Sequence, residues 1–315
     1  MKVKCQLLGI RLMGNAPTST SNSKIIGTKM KLPLLIALIT AFRVYGHGGI
    51  FNYTVDGIDY AGHFPWLPED SQTSTTIQRR WWGDPIRDPH HPFLSCNRGI
   101  PLSSSNPSLH APIRAGGTIT ARFRHPNCPP DLIYPTKPSV PGDQDPPVPI
   151  CMGPTEGFWF HTHGPLVVYM ADCKGPCDQF DPSGKKVWFK IYETGLLPGH
   201  SVNDVDGWNQ FPFTWEGWNV TIPRNLRSGN YLVRHEVVYI ENDPAQFYPY
   251  CAQVAVTGDG ENSPSEDELV AFPGAYDGQD PGIAISGFYT PEAQARETWP
   301  TNYTVPGPAV WTGED

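Results

Sequence analysis

The chain has 315 residues, 17% of them charged and 39% hydrophobic, with 35 Pro and 31 Gly. Residues 1–46 hold seven of the 23 Lys and Arg and no Asp or Glu, leaving 16 basic against 31 acidic groups, a formal charge of −15, in the remainder. So acidic a body repels phosphate backbones, which argues against nucleic acid and leaves a neutral polymer as a compatible partner.

The first element in chain order is an address. Met30-Lys31 is basic, residues 32–42 are apolar, and Val44 and Gly46 stand at −3 and −1 before His47. These are the three parts of a secretory signal peptide. The apolar run of 11 residues falls short of the about 20 that span a bilayer, and no membrane partner is expected elsewhere. Residues 1–29 are polar and are grouped with the leader, so the organisation expected is leader 1–46, signal proper 30–46, and one secreted, monomeric domain, 47–315. Losing the leader loses Cys5 and leaves six cysteines, an even number suited to three disulfides in an oxidising compartment. Asn52, Asn219 and Asn302 head glycosylation sequons.

Strand-like runs follow at 118–124, 158–162, 166–170, 187–192, 218–222, 231–240 and 251–256, several alternating in polarity and most separated by Gly, Pro or Asn. Such punctuation reads as an antiparallel β-sandwich with long loops. The Pro-rich stretch 126–157 contains Cys128 and Cys151, as a long loop closed by its own disulfide would.

A histidine exposed as the first residue is chemically special, because its free amine and its ring Nδ1 can chelate one metal together. One further imidazole completes a T-shaped set of three nitrogens, which favours Cu(II). The amine, with an ordinary pKa of about 8, competes only weakly with protons at neutral pH.

His47-Gly48, Pro92 to Cys96 (PFLSC), Pro112 to Thr118 (PIRAGGT), Gly164 to Cys173 (GPLVVYMADC) and Thr221 to Arg224 (TIPR) form an ordered series. Gly229 to Glu236 (GNYLVRHE), Gln246 to Cys251 (QFYPYC) and Val305 to Trp311 (VPGPAVW) continue it. Across most of 47–315 the chain resembles the fungal lytic polysaccharide monooxygenases of auxiliary activity family 9. The resemblance implies an all-β, immunoglobulin-like sandwich with a flat face around one copper ion. Its partners would be a polysaccharide substrate (cellulose or a related plant cell-wall glucan), an external electron donor, and O2 or H2O2. It puts Tyr248 on the axial side of the metal and Gln246 beside bound oxygen species. It pairs Cys96 with Cys251 to tie the two sheets, Cys173 with Cys177, and by subtraction Cys128 with Cys151. Tyr303 becomes the candidate for stacking on sugar rings, beside the sequon at Asn302; Trp81 and Trp82 either add to that face or lie in the core.

Two departures stand out. The family has its second copper histidine two residues before Gly-Pro; here that position is Thr162, flanked by His161 and His163. Either can serve through a one-residue shift, and an insertion into His-Thr-Gly-Pro selects His161. The family also has a histidine five residues past the conserved Glu, where this chain has Glu241, a group still able to hydrogen-bond reduced oxygen but with other proton chemistry. His235 is expected to be buried and satisfied, and His63, His90, His91, His110, His125 and His200 to lie on the surface. Two alternatives share the fold: a copper-binding protein that cleaves nothing, and a metal-free carbohydrate-binding sandwich.

Overall fold

Alternating strands bury one face each and satisfy that demand against one another. The computed structural model describes residues 48–64, 67–83, 85–98, 106–124, 161–210, 212–213, 217–285 and 298–314, all in one unit, Val44–Asp315. Ten strands are described: β1 (Gly49–Val55), β2 (Ile58–Ala61), β3 (Ala111–Arg114), β4 (Thr118–Arg124), β5 (Leu166–Asp172), β6 (Lys186–Thr194), β7 (Trp218–Thr221), β8 (Gly229–Tyr239), β9 (Gln246–Thr257) and β10 (Val270–Ala271). They form a four-stranded sheet, β2-β1-β4-β7, and a six-stranded sheet, β10-β6-β5-β8-β9-β3. The fold is the expected immunoglobulin-like antiparallel sandwich, save that β3 runs parallel to β9 at one edge. No described helix is long and apolar enough to cross a membrane.

The core between the sheets takes one parity from each strand: Ile50, Tyr53 and Val55 of β1, Ile119, Ala121 and Phe123 of β4, and Tyr231, Val233, Val237 and Tyr239 of β8. The other parity of β8 is buried too. Leu232 and Val238 join Val167, Tyr169, Trp188, Phe247 and Cys251 in a second apolar cluster on the outer face of the six-stranded sheet. That face also carries Arg234 and Glu236, both fully buried and two residues apart on one strand. Their ion pair is bidentate, at 2.8 and 2.6 Å. Leu94 O and Ser95 O accept from the guanidinium, the Tyr276 hydroxyl donates to Glu236, and the Phe272 ring lies 3.9 Å from the guanidinium carbon.

The Cys96–Cys251 and Cys173–Cys177 disulfides are both present. The first does not tie the sheets together. Cys251 has the outward parity of β9, so the bond fixes the loop after Pro92–Leu94 onto the outside of the six-stranded sheet. Cys128, Cys151 and the Pro-rich stretch lie outside the described residues. Of the expected strand at 158–162, residues 158–160 also lie outside, and His161 and Thr162 are not in a strand.

Two histidine expectations are corrected. His63 is not on the surface: it is buried beneath Trp81, whose indole donates to its carbonyl. His235 is buried but not satisfied. Its inward parity wedges it between Tyr53 and Trp218, at 5.8 and 5.1 Å between ring centroids, where neither ring nitrogen finds a partner among the described residues.

Candidate metal centre

The β8–β9 hairpin pairs Val237 with Tyr248 and Tyr239 with Gln246, so inward parity sets Tyr239, Tyr248 and Tyr250 at one end of the intersheet core. Residues leading into β5 reach the same end. Val238 N–H donates to Pro165 O, and Ile240 N–H to His163 O. This extends the β5–β8 register, in which Leu166 faces Val237, as far as His163. His161 lies beyond the last ladder bond, where pairing no longer fixes the backbone. Its ring lies against Tyr239, 3.7 Å between centroids, and its Nε2 is 3.0 Å from the Tyr248 hydroxyl.

Gly164 makes this course possible. Its φ is +125°, and a Cβ there would sit 2.0 Å from Val238 O. Gly164→Ala is expected to lower stability by on the order of 2 kcal/mol or more and to weaken metal binding by moving His161. Thermal melts of the apo protein beside metal titrations check this; an unchanged melting temperature would refute it.

Tyr248 is hydrogen-bonded to Gln246. Only one orientation of the Gln246 amide satisfies its surroundings: Nε2 faces the phenol, while Oε1 accepts from Asn242 Nδ2 at 2.6 Å and Arg87 Nη1 at 3.0 Å. The phenol then accepts from Gln246, and its own proton can go to His161 Nε2. That nitrogen thus presents a lone pair, the form a metal requires.

His163 is engaged differently. Its Nδ1 lies 2.5 Å from Glu241 Oε1 and 2.8 Å from the Thr162 hydroxyl, which itself donates to Glu241. Its Nε2 is 3.1 Å from Asn203 O. A carbonyl only accepts, so Nε2 carries a proton. The structure thus brings together His161, Tyr248, Gln246, His163 and Glu241.

His47 lies outside the described residues. Its neighbour Gly48 is anchored, the Tyr250 hydroxyl donating to Gly48 O at 2.7 Å, and Tyr250 is one same-face step along β9 from Tyr248. Tyr303 is half-buried, edge-on to Trp208 at 4.9 Å, with its hydroxyl donating to Gly282 O. Trp81 and Trp82 are both buried. Asn219 and Asn302 are exposed, whereas both amide atoms of Asn52 are engaged, by Arg122 and by Tyr60 O. Sequence reasoning missed Tyr239, Arg87, Asn242 and Asn203. Tyr239 was within reach, since pairing the two halves of the hairpin across 240–245 sets it diagonally beside Tyr248; the others act across loops that leave no periodic signal.

An imidazole nitrogen and a phenol oxygen converging at 3.0 Å suit a borderline-soft ion that takes nitrogen and oxygen donors, and so fit copper. Among the described residues no three His, Cys, Asp or Glu side chains are grouped so as to hold a metal ion by themselves.

The model of Auxiliary Activity family 9 (formerly GH61) matches residues 47–297. The family 9 lytic polysaccharide monooxygenase B of Heterobasidion irregulare (strain TC 32-1) is 37% identical over 287 residues, covering 90% of this chain and 99% of that protein. A family 9 lytic polysaccharide monooxygenase-like protein, CEL1, of Agaricus bisporus is 34% identical, covering 90% and 76%. Among solved structures, HiLPMO9B superposes with a TM-score of 0.65 at 34% identity, covering 84% of this chain and all of that one. A cellulose-active polysaccharide monooxygenase from M. thermophila gives 0.61 at 28%, covering 84% and 99%.

Proposed function

The chain belongs to auxiliary activity family 9, the lytic polysaccharide monooxygenases, and from that premise we propose that it is a secreted copper enzyme that oxidatively cleaves glycosidic bonds in cellulose or a related plant cell-wall glucan. The observation that carries this reading is the 3.0 Å approach of His161 Nε2 to the Tyr248 hydroxyl. One copper ion per chain would be held by the amine and ring of His47 and by His161, with the Tyr248 phenol beside it. His163 is not assigned as a ligand, because its Nε2 faces a backbone carbonyl and so carries a proton where a metal needs a lone pair, whereas His161 Nε2 faces a hydroxyl that can donate to it. Bound copper would supply one-electron redox chemistry, with an external electron donor and O2 or H2O2 as co-substrates, for oxidising a carbon of the glycosidic bond.

The chain's own residues do the rest. Tyr239 packs one face of the His161 ring and fixes its plane. Gln246, held by Arg87 and Asn242, fixes the direction of the phenol and offers an amide beside the oxygen-binding side. Tyr303 offers the part of its ring that Trp208 leaves open to a sugar. Removal of 1–46 is part of the proposal, and the family match beginning at His47 supports it.

The test starts from the full-length chain expressed for secretion. Its product is expected to begin at His47. A version with one residue inserted before His47 is expected to lose on the order of 100-fold or more in Cu(II) affinity, since one chelate is removed. With a reductant, the copper-loaded product is expected to release oxidised oligosaccharides from cellulose, xyloglucan or xylan. A different mature start, an insertion that leaves affinity unchanged, or tight copper binding with no oxidised sugar would each overturn this reading.

A further inference from the structure

The Thr162-His163 pair does not belong to the family's His-x-Gly-Pro pattern, and its imidazole joins two parts of the molecule. On one side, Glu241 and the Thr162 hydroxyl hold Nδ1. On the other, Nε2 donates to Asn203 O. Asn203 sits in the loop 201–208, which is itself tied down: Ser201 N–H donates to Asp204 Oδ2, Val202 N–H to Pro300 O, and the Trp208 indole to Val202 O. Trp208 in turn packs on Tyr303. An unbroken series of contacts therefore runs from Glu241 through His163 and the loop to Tyr303.

We propose that His163 is a positioning residue that locks the loop 201–208, and with it Tyr303, at a fixed offset from His161. This rests on the metal-centre reading above, with Tyr303 facing substrate. Thr162 and Glu241 hold the imidazole in the orientation that points a proton at Asn203. That bond joins the segment before β5 to this loop; with it lost, the sugar-facing ring can drift relative to the metal-holding histidine. The role is mechanical: the His163 side chain contacts neither substrate nor metal.

The experiment uses secreted protein from the full-length chain. In His163→Ala, amide exchange in residues 202–208 is expected to speed up at least tenfold. Cu(II) affinity is expected to stay within about threefold of the unsubstituted protein, while KM for soluble glucan oligosaccharides rises about tenfold and kcat falls less. His163→Gln, whose amide can still donate to Asn203 O, is expected to restore most of the exchange protection and of KM. If His163→Ala does not fold, the isosteric Glu241→Gln is read by the same three measures, with smaller changes in the same direction. Unchanged exchange in 202–208, or a loss of copper affinity in His163→Ala as large as in His161→Ala, would overturn the proposal. A His161→Ala protein that still binds copper tightly would instead overturn the metal-centre reading, so the two failures are separable.

Discussion

Glu236→Ala is expected to lower the unfolding free energy by about 3–5 kcal/mol, the usual cost of removing one partner of a buried ion pair. The substitution leaves the Arg234 guanidinium fully buried, hydrogen-bonded among the described residues to the carbonyls of Leu94 and Ser95 and to no anion. Burial on its own would lower the pKa of Arg234; the Glu236 carboxylate outweighs it and holds the pKa above its ordinary value. The pair is therefore retained as a unit. A double substitution, Arg234→Met with Glu236→Leu, removes both charges and is expected to recover most of the loss. Denaturant titration of the two variants decides the matter. If the double variant is as unstable as the single one, the cost lies in packing against Phe272 and Tyr276 and not in an orphaned charge.

Acid is expected to destabilise the protein through two histidines. Burial pushes the pKa of His235 down to about 3. Burial, then the Arg80 charge, pushes that of His63 down to about 3 as well. The unfolded chain takes up these protons near pH 6.5, and the folded chain does not until near pH 3. Stability from the two groups is thus complete above pH 6.5 and is lost as pH falls from 6.5 towards 3. At pH 4.5 each costs on the order of 3 kcal/mol, so the pair costs on the order of 5 to 6 kcal/mol. Melting curves between pH 7 and pH 4.5, compared for the unsubstituted protein and His235→Phe, measure this. The phenylalanine ring fits among Tyr53 and Trp218 and takes up no proton, so the variant is expected to lose about half of this histidine-driven decline. An identical decline in both proteins would refute the assignment.

β4 to β9 were legible in the sequence as alternating or continuously apolar runs, with ends shifted by up to five residues. β1 was not, because a register shift between Ile50 and Asn52 breaks its period of two. β3 is a four-residue strand interrupted by Pro112, and β10 has only two residues. The two misread histidines turn on tertiary contacts with no local trace. Trp81 covers His63. His235 was expected to be buried, but the rings of Tyr53 and Trp218 that enclose it offer no hydrogen-bond partner. Parity treats His161 and His163 alike, and the proposed choice between them rests on the partner of each Nε2, which no local pattern records.

The crosslink between Cys96 and Cys251 has a consequence for production. It closes the loop that carries Leu94 O and Ser95 O, the two carbonyls that solvate the buried guanidinium. Cysteine oxidation thus fastens the segment whose carbonyls accommodate the internal cation. In a cell that keeps the thiols reduced, that segment is expected to be held less firmly against the outer layer. The yield of folded protein from a host is thereby linked to the redox state of the compartment in which the loop closes.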